Sequence, residues 1–119
     1  MALHIQTGKF GESLAARYLI LKDFEIIECN WRFKRFEIDI IAVRNNIIHF
    51  VEIKTRHSTL FGFPEESVTR KKFKNLQNAA AVYLSRFNEV KRIQFDILSI
   101  LILPGKDIEY YFIEDVYIY

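Results

Sequence analysis

The chain has 119 residues, half of them hydrophobic, and a formal charge of +2 from 17 Lys and Arg against 15 Asp and Glu. That length suits one domain with a sizeable core, and that composition excludes a disordered tail. There is no apolar run of about 18 residues and no secretory hydrophobic region ending at a small-residue cleavage site, so a cytoplasmic protein with no membrane partner is predicted.

In chain order, Thr7 or Gly8 is read as the start of a helix running to about Lys22. Leu14, Tyr18 and Leu21 form one stripe, and Glu12 sits beside Ala15, Ala16 and Leu19 on its margin, near the buried side. Phe24 to Cys29 alternates like a strand, and Asn30 to Arg35 reads as a basic connection. Phe36–Val43 and Ile47–Lys54 are two further strands. Arg44, Asn45, Asn46 and Ile47 form the turn between them, because its two central asparagines tolerate the positive φ of a type I′ bend.

Ser58 to Glu66, with Gly62 and Pro64, reads as a loop suited to a substrate-facing lid. Thr69 caps a second helix to about Arg86, whose Phe73, Leu76, Ala80, Tyr83 and Leu84 form a core stripe. Ile93 to Leu103 is a long strand, and Pro104, Gly105, Lys106 and Asp107 turn it towards a last one at Ile108 to Ile113. The order is αβββαββ, an α/β class with a mixed sheet flanked by helices.

A two-residue turn fixes the register of the central hairpin, so opposed residue numbers sum to 91. Asp39 then faces Glu52 and Glu37 faces Lys54, on the side shared by Ile41, Phe50, Val43 and Ile48. The other side carries Ile38, Ile40, Ala42, His49, Val51 and Ile53. Two carboxylates held across a strand pair repel, and desolvating each costs several kcal/mol. A divalent cation relieves that repulsion. Magnesium or manganese, held by Asp39, Glu52 and the Ile53 carbonyl, would polarise a phosphate and lower the pKa of water, with Lys54 orienting the nucleophile or stabilising developing charge. The competing reading is a Glu37 to Lys54 ion pair, with Asp39 and Glu52 at a wet sheet end.

Charge is uneven along the chain. Between Trp31 and Lys74 stand ten Lys and Arg against five Asp and Glu. They cluster at Arg32, Lys34 and Arg35, at Lys54 and Arg56, and at Arg70, Lys71, Lys72 and Lys74. Such clusters either attract a nucleic-acid backbone or simply form solvated faces. Trp31 and Phe33, interleaved with the first cluster, either stack on unpaired bases or belong to the core. Cys29, the only cysteine, reads as a small core residue, and His49 as a structural or surface residue. His57 is placed to touch phosphate or simply to be solvated, and His4 has no visible partner. The aromatic terminus of Tyr110, Tyr111, Phe112, Tyr117 and Tyr119 covers the sheet edge or forms a homodimer contact.

Several runs together resemble the uncharacterised YraN family, a restriction-endonuclease-like group of the PD-(D/E)xK type, similar to archaeal Holliday-junction resolvases. They are Gly8 and Glu12 with Ala15, Ala16, Tyr18 and Leu19; Asn30 and Arg32; Glu37-Ile38-Asp39; Phe50 to Arg56; Phe61 with Gly62; Lys72, Ala80, Tyr83 and Leu84; and Phe95 with Asp96. The resemblance implies a Mg- or Mn-dependent endonuclease on DNA, branched or damaged DNA included. It makes Asp39 and Glu52 metal ligands, Lys54 the catalytic lysine, and Glu12 a helix carboxylate reaching the same metal directly or through water. Phe36 stands where the family usually has glycine, and Gln94 where arginine is common. Two alternatives are a nucleic-acid-binding module that no longer cleaves and an interaction domain in which the acidic pair is incidental.

Overall fold

A computed structural model of the chain describes residues 2–58, 68–89 and 91–116, with side chains from residue 9 onward. The elements are helix α1 (Ala2–Leu21), strands β1 (Glu25–Phe33), β2 (Phe36–Arg44) and β3 (Ile47–Arg56), helix α2 (Arg70–Leu84), and strands β4 (Arg92–Leu101) and β5 (Glu109–Ile113). This is the αβββαββ order expected. The five strands form one mixed sheet in the order β1-β2-β3-β4-β5, antiparallel except for the parallel pair β3 and β4. A parallel pair needs a crossover, and α2 lies within it.

The two helices cover opposite faces. One cluster packs Ala15 and Leu19 of α1 against Ile40, Ala42, Val51, Leu98 and Ile100. The other packs Leu76, Ala79, Ala80 and Tyr83 of α2 against Ile38, Ile41, Ile48 and Phe50. Covering on both faces is what the apolar central hairpin required. Among the described residues, no helix is long and apolar enough to cross a membrane.

Three expectations about elements change. Helix α1 starts at Ala2 rather than at Thr7 or Gly8, because Ala, Leu and Gln are good helix formers and carry the helix past the capping signal. Its buried line is Gly11, Ala15 and Leu19, with Leu14 and Tyr18 flanking it and Leu21 left 77% exposed. Small residues win that line because the helix lies very close to β3: a Cβ on Gly11 would stand 2.4 Å from Thr55 Oγ1. The expected basic connection at 30–35 is mostly strand, since β1 runs on to Phe33 and leaves only Lys34 and Arg35 as the turn.

Thr69 does cap α2, its Oγ1 accepting the Lys72 N–H at 3.2 Å. Asn45 and Asn46 adopt φ of 55° and 62°, as a type I′ turn requires. The expected loop at 59–66 and the residues Tyr117 and Tyr119 lie outside the described residues. Of the remaining terminal aromatics, Tyr110 stacks on Tyr18 at 4.8 Å and Phe112 meets it edge-on at 5.9 Å, covering the α1 side, while Tyr111 is 42% exposed.

Candidate metal centre

The hairpin register holds from Arg44 and Ile47 to Ile40 and Val51, every opposed pair summing as expected. Beyond that point β2 turns over. Ile38 pairs with Trp31 and both lie in the α2-side cluster, whereas Ile40, two residues on, lies in the α1-side cluster. A regular pleat would put Ile38 and Ile40 on one face. The reversal falls at Asp39 and at Asn30 of β1, whose φ is 53°.

Asp39 therefore does not extend the regular β2–β3 ladder opposite Glu52. Its Oδ2 instead accepts the Ile53 backbone N–H at 2.8 Å, so a side chain takes the place of a strand carbonyl. Glu52 still senses the Asp39 charge. Burial pushes the Asp39 carboxyl above its ordinary value against the pull of the Ile53 N–H, Glu37 and Glu12 raise it further, and Lys54 offsets them. Glu52 is pushed up to about 7, first by burial and then by the Asp39 charge, with Lys54 and Lys72 opposing.

Lys54 Nζ lies 3.7 Å from Glu52 Oε1, and both side chains are less than a quarter exposed, at 22% and 24%. The expected Glu37 to Lys54 pair gives way to two others, because Glu37 meets Arg32 at 3.4 Å on the surface. Glu12 is oriented by Asn30, whose Nδ2 donates to Glu12 Oε2 at 2.8 Å. In the sequence, Lys72 belongs to a cluster that either attracts a nucleic-acid backbone or forms a solvated face. The structure brings it to Lys54, whose amine, by hydrogen-bond contact and by charge, holds Lys72 below its ordinary value. Glu52, Lys54 and Lys72 open into a cleft of about 440 Å³ that Arg35, Asn75 and Asn78 also line.

In ligand type Asp39 and Glu52 suit a hard divalent cation, but among the described residues Glu12 does not join them in a trio whose ligand atoms lie within 4.8 Å of one another. Asp39 and Glu52 are carboxylates kept from water and raised in pKa by burial, Glu52 also by the Asp39 charge, which is the penalty such an ion removes. Both supply oxygens, the ligand type magnesium and manganese prefer. Glu12 stands further out, its charge reaching Asp39 while Asn30 holds one of its oxygens.

Comparison with known proteins gives the lineage but no activity. The family model described as "Uncharacterised protein family UPF0102" matches residues 11–100. The chain belongs to UPF0102. A UPF0102 protein of Syntrophomonas wolfei is 45% identical over 104 residues, covering 85% of this chain and 89% of its own. One from Cytophaga hutchinsonii is 44% identical over 97 residues, covering 82% and 86%. One from Christiangramia forsetii is 39% identical over 120 residues, covering 100% and 99%. The match takes in Glu12, Asn30, Asp39, Glu52, Lys54 and Lys72 together.

The other predicted residues of this UPF0102 chain fall into two groups. Arg35 lines the cleft, while Arg32 and Lys34 are exposed on the same β1–β2 hairpin. Arg70, Lys71 and Lys74 are exposed on α2, and Arg56 ends β3, where its carbonyl accepts the Ile102 N–H at 2.8 Å. Phe36 lines the cleft beneath the Arg35 guanidinium, which stands 5.3 Å from its ring. Cys29 is exposed on edge strand β1 rather than in the core. Burial, then Glu12 and Glu28, raise its thiol pKa, which disfavours a nucleophilic thiolate.

His49 is structural, as one of its two readings held. It is 2% exposed, and its Nδ1 lies 2.6 Å from Asp96 Oδ2. Asp96 Oδ1 accepts from Gln94 Nε2 and from the Asp115 N–H, both at 3.0 Å. Gln94 thus supports that carboxylate. With Glu114, these form the one trio of ligand side chains among the described residues gathered closely enough to share an ion. Hydrogen bonds already occupy Asp96, and the exposed Glu114 is tied to Arg44 at 2.7 Å, so the trio acts as a latch for the segment after β5.

Proposed function

We propose that this UPF0102 chain is a Mg- or Mn-dependent endonuclease of the restriction-endonuclease-like PD-(D/E)xK type, hydrolysing phosphodiester bonds in DNA. One observation carries the reading. Asp39 and Glu52 are two carboxylates whose pKa burial raises, Glu52 further through the Asp39 charge, and Glu52 lines a cleft together with an amine at 3.7 Å, Lys72 and Arg35.

Asp39 and Glu52 would hold the ion, with Glu12 reaching it directly or through water. The bound ion supplies Lewis-acid charge at the phosphate and raises the acidity of water. The chain's own groups do the rest. Ile53 N–H fixes the Asp39 carboxylate, so its second oxygen is directed without the entropy cost of a free side chain. Lys54, held by Glu52, orients the nucleophilic water and donates to the phosphate oxygens as negative charge builds. Lys72 brings a second positive charge to the same place from α2, which suits a phosphate group better than a lone amine does. In the reaction, water adds at phosphorus, the P–O bond to one sugar breaks, and the leaving oxygen takes up a proton.

The direct test incubates purified protein with linear, branched and single-stranded nucleic acids plus manganese, alongside Lys54→Ala. Cleavage by the wild type and its loss in the variant support the reading. Equal cleavage by both proteins marks a contaminant and overturns it.

A further inference from the structure

Beside the cleft, the β1–β2 hairpin ends in Phe33-Lys34-Arg35-Phe36, a tight turn with Lys34 at φ 56°. Phe33 and Phe36 form its last rung. Residues directly opposed in an antiparallel pair project to the same face of the sheet. Phe36 packs against the α2-side cluster and lines the cleft, so Phe33 lies on the cleft side too, one rung-width further out. Its ring is 46% exposed.

A single exposed aromatic is ordinary on a protein surface. This one differs in where it stands and in what surrounds it. Its rung partner Phe36 and the adjacent Arg35 line the cleft whose wall carries Glu52, Lys54 and Lys72. The Lys34 amine is 5.6 Å from the Phe33 ring, and Arg35 covers the neighbouring ring of Phe36. Trp31, the other aromatic of the run, is only 6% exposed and packs edge-on to Tyr83 at 5.5 Å, so the core has taken one aromatic and left the other at the tip. A flat apolar ring flanked by cations beside a phosphate-directed cleft matches a nucleotide, base on the ring and phosphate on the amines.

We infer that Phe33, with Lys34 and Arg35, is a stacking platform for an unpaired base next to the scissile phosphate, so that the enzyme selects DNA containing unpaired nucleotides over continuous duplex. In a duplex the bases are stacked on one another and offer no free face to a side chain; at a tail, bubble or branch they do. This inference rests on the proposed phosphodiester chemistry, which supplies the reason for a nucleic acid at the cleft, and adds to it the class of DNA selected.

The test measures binding rather than cleavage. Fluorescence anisotropy in metal-free buffer compares a blunt duplex with the same duplex carrying a single-stranded tail or a mismatch bubble, for wild type, Phe33→Ala and Phe33→Trp. Wild type is expected to prefer the tailed and bubbled DNA by about fivefold or more, the range that one stacked base contributes. Phe33→Ala should lose that preference while blunt-duplex affinity and melting temperature stay unchanged. Phe33→Trp should keep it, and its indole emission should be quenched by tailed DNA, a signal distinct from that of buried Trp31. Equal wild-type affinity for all three DNAs, or equal loss on all three in Phe33→Ala, overturns the platform and leaves the nuclease reading standing. Absence of binding to any nucleic acid overturns both.

Discussion

Replacing Glu52 by glutamine should stabilise the metal-free protein at alkaline pH. The Glu52 carboxyl sits at about 7 instead of its ordinary 4.5, so the folded chain holds that proton where the unfolded chain has released it. Stability from this group is therefore full below about pH 4.5 and is lost as pH rises towards 7. At 1.36 kcal/mol per pKa unit the loss reaches about 3 kcal/mol. The side chain keeps 24% of its exposure and glutamine gives up the charge contact with Lys54, so a discounted gain for Glu52→Gln is about 1–2 kcal/mol. For a chain of this size that is roughly 3–10 °C in melting temperature.

Circular-dichroism melts in chelator at about pH 4 and pH 8 read the effect directly. The two proteins should melt alike at the lower pH, where Glu52 is neutral in both states, and the variant should melt higher at the upper. A variant that melts lower at pH 8, or whose advantage does not change with pH, would refute the claim that Glu52 is ionised there at a cost.

Asp96→Ala strips His49, Gln94 and the Asp115 N–H of their shared acceptor at a site 1% exposed, and should cost about 3–5 kcal/mol by denaturant titration, whereas Asp96→Asn, which keeps an acceptor oxygen, should cost less. Gly11→Ala gains about 1 kcal/mol of helix propensity but drives a methyl to 2.4 Å from Thr55 Oγ1; the clash should win, lowering the melting temperature, and Thr55→Ala in the same chain should restore it. Thr69→Ala removes the hydroxyl that accepts the Lys72 N–H and should cost about 1 kcal/mol, read as a lower urea midpoint with an unchanged slope.

Local chemistry accounts for what could be read from the chain. Asn45 and Asn46 specify a two-residue turn, the turn sets the register, and every rung from Arg44 to Ile40 follows. Thr69 and the spacing of Phe73, Leu76, Ala80 and Tyr83 likewise specify the start and the buried face of α2. Counting alternate residues failed at Asp39, because it assumes an unbroken pleat. The positive φ at Asn30 belongs to the neighbouring strand, and asparagine is tolerant of that conformation without demanding it. An unusual signal was present, in that asparagine interrupts an otherwise apolar and basic run, but its partner Glu12 is 18 residues away.

Lys72 was legible as a candidate phosphate-binding cation and not as a neighbour of Lys54. Its place beside Lys54 depends on how α2 crosses the sheet, which periodicity does not encode. The same holds for His49 and Asp96, 47 residues apart, which meet only because β3 and β4 run parallel in one register. Leu21 shows the opposite failure. Its hydrophobicity predicted burial, yet the close approach of Gly11 to Thr55 sets the rotation of α1 and leaves Leu21 facing solvent.

The most direct test of a shared cation at Asp39 and Glu52 is calorimetric titration of manganese into the wild type and Asp39→Asn, on either side of pH 7. A saturable site that tightens as Glu52 loses its proton, and that disappears in the variant, is the predicted result. Manganese binding that is the same in both proteins, or that is absent from the wild type at pH 8, would contradict it.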